Sequence, residues 1–249
     1  MKRRSILITG ASAGLGLGMA QAFAARGCNL ALCARRIDRL ESLRDDLQAR
    51  YPDIRVEVAE LDVADHDRVF AVFREFHAAL GTLDRVIVNA GIGKGDSVGT
   101  GAFADNRETL EINLIGALAQ CEAAVELFRA ENAGHLVLLS SMSALRGMRR
   151  KMTAYAASKA GVATLAEGIR LDLLDTPIRV TTLYPGYILT DINAAVEHAP
   201  FRVDTERGVR ALVRAIEREP DEAYLPAWPW AVARWLMPWF PKRLMASFS

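Results

Sequence analysis

Short apolar runs that alternate with helical segments are the feature that most constrains how this chain can fold. A continuous apolar run indicates a strand buried on both faces, because a sheet with one wet face would show alternation. Predicted strands cover residues 5–9, 29–34, 54–59, 85–88, 135–139, 178–183 and 223–225. Helical spacing covers residues 19–26, 36–50, 65–80, 105–131, 153–174 and 205–217. This order predicts an α/β fold, a doubly wound, mostly parallel seven-stranded sheet with helices on both faces.

The bulk composition narrows the class of protein. With 51% hydrophobic and 24% charged residues, the chain reads as globular and not as disordered. No linker or repeat interrupts it, so we expect one domain over residues 1–249 with a Trp/Pro-rich tail at about 226–249. The net charge of +1 gives no general attraction to nucleic acid, and none is expected as a partner.

Cysteine and histidine usage argues against disulfide and metal sites. The three cysteines include no CxxC pair, and the four histidines show no ligand spacing, so we predict no metal. The basic start, Met-Lys-Arg-Arg, is followed by a short strand and a glycine turn instead of a long apolar segment. The sequence therefore favours a reducing, cytoplasmic location over export.

A glycine-rich turn joins the first predicted strand to the first helix. Its glycines permit unusual backbone angles and close approach of a phosphate, and the helix start supplies free amides. It lacks the G-K-[ST] of a P-loop, which argues against an NTPase. We therefore predict that this turn binds a dinucleotide pyrophosphate through Gly10, Ser12, Ala13, Gly14, Leu15 and Gly16.

The end of the second predicted strand carries Arg35 and Arg36, with no acidic residue before Asp38. In such folds this position lies beside the adenosine ribose, where an acid binds the 2′-hydroxyl of NAD and an arginine suits the 2′-phosphate of NADP. The pair therefore predicts NADP(H) in preference to NAD(H).

Tyr155 and Lys159 lie four residues apart in a predicted helix and so share one face. A phenol with a pKa of about 10 is a poor proton donor at neutral pH, and a nearby cation lowers that pKa. On its own the pair also fits an ordinary solvated helix face.

Taken together, these motifs resemble the short-chain dehydrogenase/reductase family, in its compact single-domain branch. The resemblance covers about residues 5–190. The residues that carry it are the turn Thr9–Gly16, the run Leu61, Asp62 and Val63, the triplet Asn89, Ala90 and Gly91, the set Asn113, Ser141, Tyr155 and Lys159, and finally Pro185, Gly186 and Thr190.

The resemblance implies a Rossmann-like fold and a reaction between a nicotinamide cofactor and a carbonyl/alcohol substrate. Tyr155 would be the general acid/base, Lys159 would lower its pKa and bind the ribose, and Ser141 would hold the substrate oxygen. Asn113 would bend its helix and fix a water for proton relay. The implied cofactor contacts also include Asp62, Val63, Asn89, Ala90, Gly91, Tyr155, Lys159, Pro185, Gly186, Ile188 and Thr190.

Three questions stay open at this level. The interval to Tyr155 leaves Ser143 as an alternative to Ser141. The basic loop from Arg146 to Lys151 fits either an anionic substrate or plain solvation. A non-catalytic, cofactor-binding regulatory or scaffold protein is the alternative function, although the intact catalytic set argues against it.

The partners are less constrained. All four tryptophans lie in the tail, which is too short and too broken by proline and arginine to span a membrane. The composition of the tail fits three arrangements, namely subunit or intramolecular packing, attachment to a membrane surface, and packing over the substrate cleft. Small residues on the 105–131 and 153–174 helices are compatible with the dimer contact usual in the family, so a homodimer or homotetramer is expected. The predicted pocket segments, 92–104, 142–152 and 187–203, do not identify a substrate.

Overall fold

The computed structural model describes residues 3–189 and 201–247. Over these residues it contains one seven-stranded sheet in which each neighbouring pair is parallel. The strands are β1 Ser5–Thr9, β2 Asn29–Ala34, β3 Val56–Glu60, β4 Arg85–Val88, β5 His135–Leu139, β6 Arg179–Pro185 and β7 Glu222–Leu225. Their order is β3-β2-β1-β4-β5-β6-β7, so the direction of winding reverses between β1 and β4. A crevice at the carboxyl ends of the strands is expected at that point.

Helices cover both faces of this sheet. They are α1 Gly14–Ala24, α2 Ile37–Arg50, α3 His66–Leu80, α4 Phe103–Leu110, α5 Gly116–Glu131, α6 Met152–Asp172, α7 Thr205–Arg218, α8 Ala227–Leu236 and α9 Lys242–Ser247. One apolar core packs α1, α2 and α7 against the sheet, and a second packs α3, α5 and α6 against the other face. Among the described residues, no helix is long and apolar enough to cross a membrane.

Local sequence signals explain where several helices begin and end. The Asp65 side chain accepts a hydrogen bond from the Arg68 backbone N–H at 3.1 Å and so caps α3. Gly81 ends the same helix with φ of 81°, a conformation that glycine adopts without strain. Asp204 caps α7 in the same way, with 2.6 Å to the Arg207 N–H.

The predicted strands and the doubly wound sheet are confirmed, with bounds within two residues at each end. Two helix predictions differ from the structure. The first helix begins at Gly14 and not at residue 19. The prediction missed its first turn because that turn is rich in glycine and shows no apolar periodicity. The predicted helix over 105–131 is interrupted by a π-helical turn, Glu111–Ile115, whose cause is described with the site.

A buried ionic cluster ties the amino-terminal edge of the sheet to α7. Arg85, only 3% exposed, donates to His135 Nδ1 at 2.8 Å and to Glu219 Oε1 at 2.9 Å. Arg3 donates to the same carboxylate oxygen at 3.0 Å. Burial lowers the pKa of His135 to about 3, so this ring is neutral, and Glu219 supplies the only negative charge of these four groups.

We predict that Glu219→Gln lowers the free energy of unfolding by about 2 kcal/mol, since it leaves the buried guanidinium without its counter-charge. Glu217→Gln is the matched control, because its partner Arg26 is solvent-exposed and such pairs contribute less than about 1 kcal/mol. Urea unfolding of both variants measures the difference. Equal losses would contradict a special role for the buried cluster.

Candidate active site

The glycine-rich turn forms one end of the crevice. Gly10 and Gly14 have φ of 64° and 54°, a left-handed conformation that glycine adopts without strain. The α1 helix that follows has no side-chain cap and no acidic residue in its first turn, so its first amides remain available to an anion. The backbone at this turn fits a pyrophosphate.

Gly16 was predicted to contact the cofactor, but it lies behind the turn and does not line the crevice. A Cβ atom at this position would lie 2.4 Å from the Gly10 carbonyl oxygen and 2.7 Å from Asn89 Nδ2. Gly16 therefore allows the turn to pack on the neighbouring strand, and its spacing in the motif reflects packing and not ligand contact.

Asn89 and Ala90 connect the ends of β1 and β4. Both backbone N–H groups donate to Thr9 Oγ1 at 3.0 Å, and Asn89 Nδ2 donates to the Thr9 carbonyl at 2.8 Å. The winding direction of the sheet reverses between these two strands. The hydrogen bonds therefore fix the strand ends on either side of the crevice that is expected there.

The two arginines after β2 line the same crevice. Arg36 Nε and Nη2 donate to Ser12 Oγ at 3.2 and 3.0 Å, which places the guanidinium beside the glycine-rich turn. Arg35 lies 3.9 Å from Asp62 and is more than half exposed. The Asp62 carboxylate accepts from the Ala64 N–H at 3.1 Å and is thereby oriented. The two arginine side chains therefore lie where the 2′-position of the cofactor's adenosine ribose is expected.

Asn113 lies in the π-helical turn and is 1% exposed. Its Oδ1 accepts from the Ile92 N–H at 2.8 Å, and its Nδ2 donates to the Ile92 carbonyl at 2.9 Å and to Ser158 Oγ at 3.1 Å. Ser158 in turn donates to the Tyr155 carbonyl at 2.7 Å. Asn113 does not line the cavity; it joins the loop after β4 to the helix that carries Tyr155, which accounts for the interruption of the α-helix.

Lys159 is 6% exposed, and its Nζ donates to the Leu139 carbonyl at 2.8 Å. In the opposite direction, Ser140 Oγ donates to the Lys159 carbonyl at 2.8 Å. Burial lowers the pKa of the Lys159 ammonium to about 8. The end of β5 and helix α6 are therefore held together at this lysine.

The Tyr155 hydroxyl lies close enough to the Ser141 side chain to interact with it, whereas the Ser143 hydroxyl has no hydrogen-bond partner among the described residues. Burial raises the pKa of the phenol, the interaction with Ser141 opposes that rise, and the nearby Tyr187 adds to it. The expectation that Lys159 lowers this pKa is not met in the structure. The ammonium lies 5.8 Å from the ring centre and is directed at the Leu139 carbonyl.

These groups share one continuous cavity of about 880 Å³. Of the predicted catalytic and cofactor residues it is lined by Gly10, Ser12, Ala13, Gly14, Leu15, Arg35, Arg36, Asp62, Val63, Asn89, Ala90, Gly91, Ser141, Tyr155, Lys159, Pro185, Gly186 and Ile188. Thr190 lies outside the described residues, as does most of the predicted pocket segment 187–203.

The C-terminal tail covers the other half of this cavity, so of the three arrangements open to it the structure has packing over the cleft. Arg146 donates to the carbonyls of Pro238 and, at 3.1 Å, of Phe240. Arg146 therefore binds the tail and is neither simply solvated nor free for an anionic substrate. The sequence motifs did not identify the tail residues that line the cavity. The only sequence signal for them was the concentration of tryptophan in the tail.

Sequence and structural comparisons agree on the family. The model of the short chain dehydrogenase family matches residues 4–200. A Mycobacterium tuberculosis protein named only as an uncharacterized oxidoreductase is 53% identical over 247 residues, 99% of this chain and 98% of that protein. The chain belongs to the short-chain dehydrogenase/reductase family, and it is an NAD(P)-dependent oxidoreductase by that membership.

Solved structures share the fold. A short-chain dehydrogenase from Sphingobium yanoikuyae in complex with NADPH has a TM-score of 0.81 and 25% identity, over 93% of this chain and 91% of that one. A family member from Burkholderia phymatum in complex with NAD has a TM-score of 0.83 and 22% identity, over 94% and 92%. Among the described residues of this chain, no cluster of histidine, cysteine or acidic side chains could hold a metal.

Proposed function

We propose that this protein is an NADP-dependent oxidoreductase that moves a hydride between the nicotinamide and a carbonyl/alcohol substrate. The observation that carries the proposal is that Ser141, Tyr155 and the buried Lys159 line one wall of a cavity that is continuous with the dinucleotide turn. The cofactor would lie along Gly10–Leu15, Arg36, Asn89 and Pro185–Gly186, and it would supply the hydride.

The side chains divide the remaining chemistry. When a carbonyl is reduced, Ser141 donates to its oxygen and stabilises the developing negative charge, and Tyr155 gives that oxygen the proton. Lys159 positions Tyr155, because its ammonium holds helix α6 against the end of β5 through the Leu139 carbonyl. In the oxidative direction the phenolate accepts the alcohol proton. Asn113 acts as a positioning residue, because its side chain holds Ile92 and Ser158 and not the reacting atoms.

The alternative is a protein that binds the cofactor without turnover. The placement of Tyr155 beside Ser141 disfavours it, because a binding protein needs no phenol paired with a serine in its cavity wall. Tight NADPH binding without consumption of NADPH by any ketone or aldehyde would favour this alternative.

We predict that Tyr155→Phe lowers kcat for ketone reduction by at least about 100-fold, the range of a general acid, while NADPH still binds. Tyr224→Phe is the matched control, since its hydroxyl contacts Glu222 at 2.9 Å away from the cavity lining. NADPH absorbance during turnover and fluorescence titration of NADPH binding measure the two effects. Turnover that survives in Tyr155→Phe would contradict the proposed mechanism.

The preference for NADP rests on the cations beside Ser12. Arg36 is anchored at the turn and Arg35 is half exposed next to it, so both present charge to a 2′-phosphate. The Sphingobium yanoikuyae protein binds NADPH and the Burkholderia phymatum protein binds NAD, so the choice of cofactor rests on these two arginines.

We predict that Arg36→Ala raises KM for NADPH about 10- to 100-fold, the contribution of a hydrogen bond to a charged group, and leaves KM for NADH nearly unchanged. Arg39→Ala is the matched control, because Arg39 is an exposed arginine on helix α2, which follows Arg36, and does not line the cavity. Initial rates with each cofactor decide the question. A proportional loss with both cofactors would argue against a 2′-phosphate site.

We also propose that copies of the chain associate through the α5 and α6 helices. Ile115 and Leu118, three residues apart, are 40% and 38% exposed, and neighbouring exposed apolar side chains can mark a contact between copies. Light scattering should give the mass of a dimer or tetramer, and Leu118→Glu should shift it toward one chain. A single-chain mass for the unaltered protein would contradict the proposal.

A cytoplasmic location with contact at a membrane surface is the last part of the proposal. In the described chain all three cysteines are buried and none is in a disulfide, as a reducing compartment allows. Trp235 and Trp239, four residues apart, are 67% and 84% exposed and do not line the cavity. Lys242 and Arg243 follow them, and residues 226–249 contain no acid, which suits an anionic lipid surface.

We predict that the protein sediments with vesicles containing phosphatidylglycerol and not with pure phosphatidylcholine. Replacing Lys242 and Arg243 with Glu should lower binding at least about 30-fold, since each cation contributes roughly 1 kcal/mol. The same change at the exposed Arg68 and Arg74 on α3 is the control. Equal binding to both kinds of vesicle would contradict this role.

A further inference from the structure

The face of helix α8 that lines the cavity is apolar and accessible. Val232 and Leu236 lie four residues apart, so they share one face of this helix, and both line the cavity. Their exposed fractions are 49% and 52%, and that of Trp228, which lines the cavity from the start of the same helix, is 77%. This half of the cavity therefore offers apolar side-chain surface that a ligand can reach.

The other side chains of this half are adaptable as well as apolar. Met148 and Met152 line the cavity from the segment that leads into α6, and Met237 lines it from the turn after α8. All three are partly exposed. Methionine is unbranched and flexible, so it can fit its side chain to ligands of different shape. Such walls suit a flexible apolar group.

Helix α8 is fixed over the cavity near both of its ends. Close to its start, the Trp230 ring rests on the backbone after β6, since a Cβ atom at Gly186 would lie 2.1 Å from the indole nitrogen. Just beyond its end, Arg146 donates to the carbonyls of Pro238 and, at 3.1 Å, of Phe240. The apolar face of α8 is therefore in place before a ligand binds, and the ligand does not have to order it.

Charge is scarce in this half of the cavity. Apart from the buried Lys159, the only charged side chain that the described residues contribute to this half is Lys151, which is exposed to solvent. An ionic group placed against Val232 and Leu236 would lose its water and gain no counter-charge from these walls. The apolar half therefore disfavours a charged group.

We propose that the substrate is an uncharged ketone, aldehyde or alcohol that carries a long apolar chain. The chain lies under α8 against Val232 and Leu236, while the reacting oxygen lies at Tyr155 and Ser141. Each methylene of the chain that leaves water adds to the binding free energy, so this half of the cavity distinguishes substrates by chain length. The inference rests on the proposed function and adds the substrate class.

The test measures kcat/KM for straight-chain 2-ketones from butanone to dodecanone, with saturating NADPH. In the unaltered protein we expect kcat/KM to rise about fourfold for each methylene that the cavity buries, the effect of removing that group from water. Leu236→Asn should lower the ratio of kcat/KM for dodecanone to that for butanone by about tenfold, because it replaces apolar surface against the chain. Val232→Asn should lower the same ratio.

Trp235→Asn is the matched control, because Trp235 lies next to Leu236 on α8, is 67% exposed and does not line the cavity. This variant should keep the ratio of the unaltered protein. Circular dichroism verifies folding, and Val232→Asn decides alone if Leu236→Asn does not fold. A ketone of the same length that ends in a carboxylate tests the charge, and its kcat/KM should be at least about tenfold lower than that of the uncharged ketone.

Three results would overturn this substrate class and leave the proposed function standing, because ketones would still be reduced. They are equal kcat/KM for short and long ketones, a chain-length preference that survives both Leu236→Asn and Val232→Asn, and a preference for the carboxylate over the uncharged ketone. No turnover of any of these ketones, whatever the chain length, would overturn both.

Discussion

The burial of the Lys159 ammonium is the constraint on which the site depends. A charge removed from water must find an acceptor, and here it is the Leu139 carbonyl at 2.8 Å. Ser140 returns a bond of the same length to the Lys159 carbonyl, so α6 cannot slide along the end of β5. Ser141 follows directly on that strand end and Tyr155 lies one helical turn before the lysine. The same pair of bonds therefore brings the serine and the phenol into contact.

Gly91 and Asn113 lie on the other side of Lys159. A Cβ atom at Gly91 would lie 3.1 Å from Asn113 Oδ1, which is a tight contact, and 3.5 Å from Lys159 Nζ, which is an ordinary contact. Asn113 then fastens the loop after Gly91 to α6 through Ser158. Loop, π-helical turn and helix form one rigid wall, whereas the wall under the tail is held chiefly by apolar contacts and by Arg146.

Sequence reasoning succeeded where the signal is local. The apolar runs predicted the strands because both faces of the sheet are buried, and the turn Gly10–Leu15 was located by its glycines. It failed where long-range contacts decide. The π-helical turn depends on Ile92, far from Asn113 in the chain, and the raised pKa of Tyr155 depends on burial that the four-residue spacing to Lys159 does not reveal. The position of Trp230 over Gly186 was equally inaccessible to motif reasoning.

The central claim is that one cavity brings a nicotinamide hydride to a carbonyl carbon beside Tyr155. Reduction of a ketone with NADPH deuterated at the transferable position of nicotinamide C4 tests it most directly, with the product analysed by mass spectrometry and NMR. The account predicts one deuterium on the new carbinol carbon for each NADPH oxidised. An alcohol without deuterium at that carbon, or NADPH that stays reduced with every carbonyl compound offered, would contradict it.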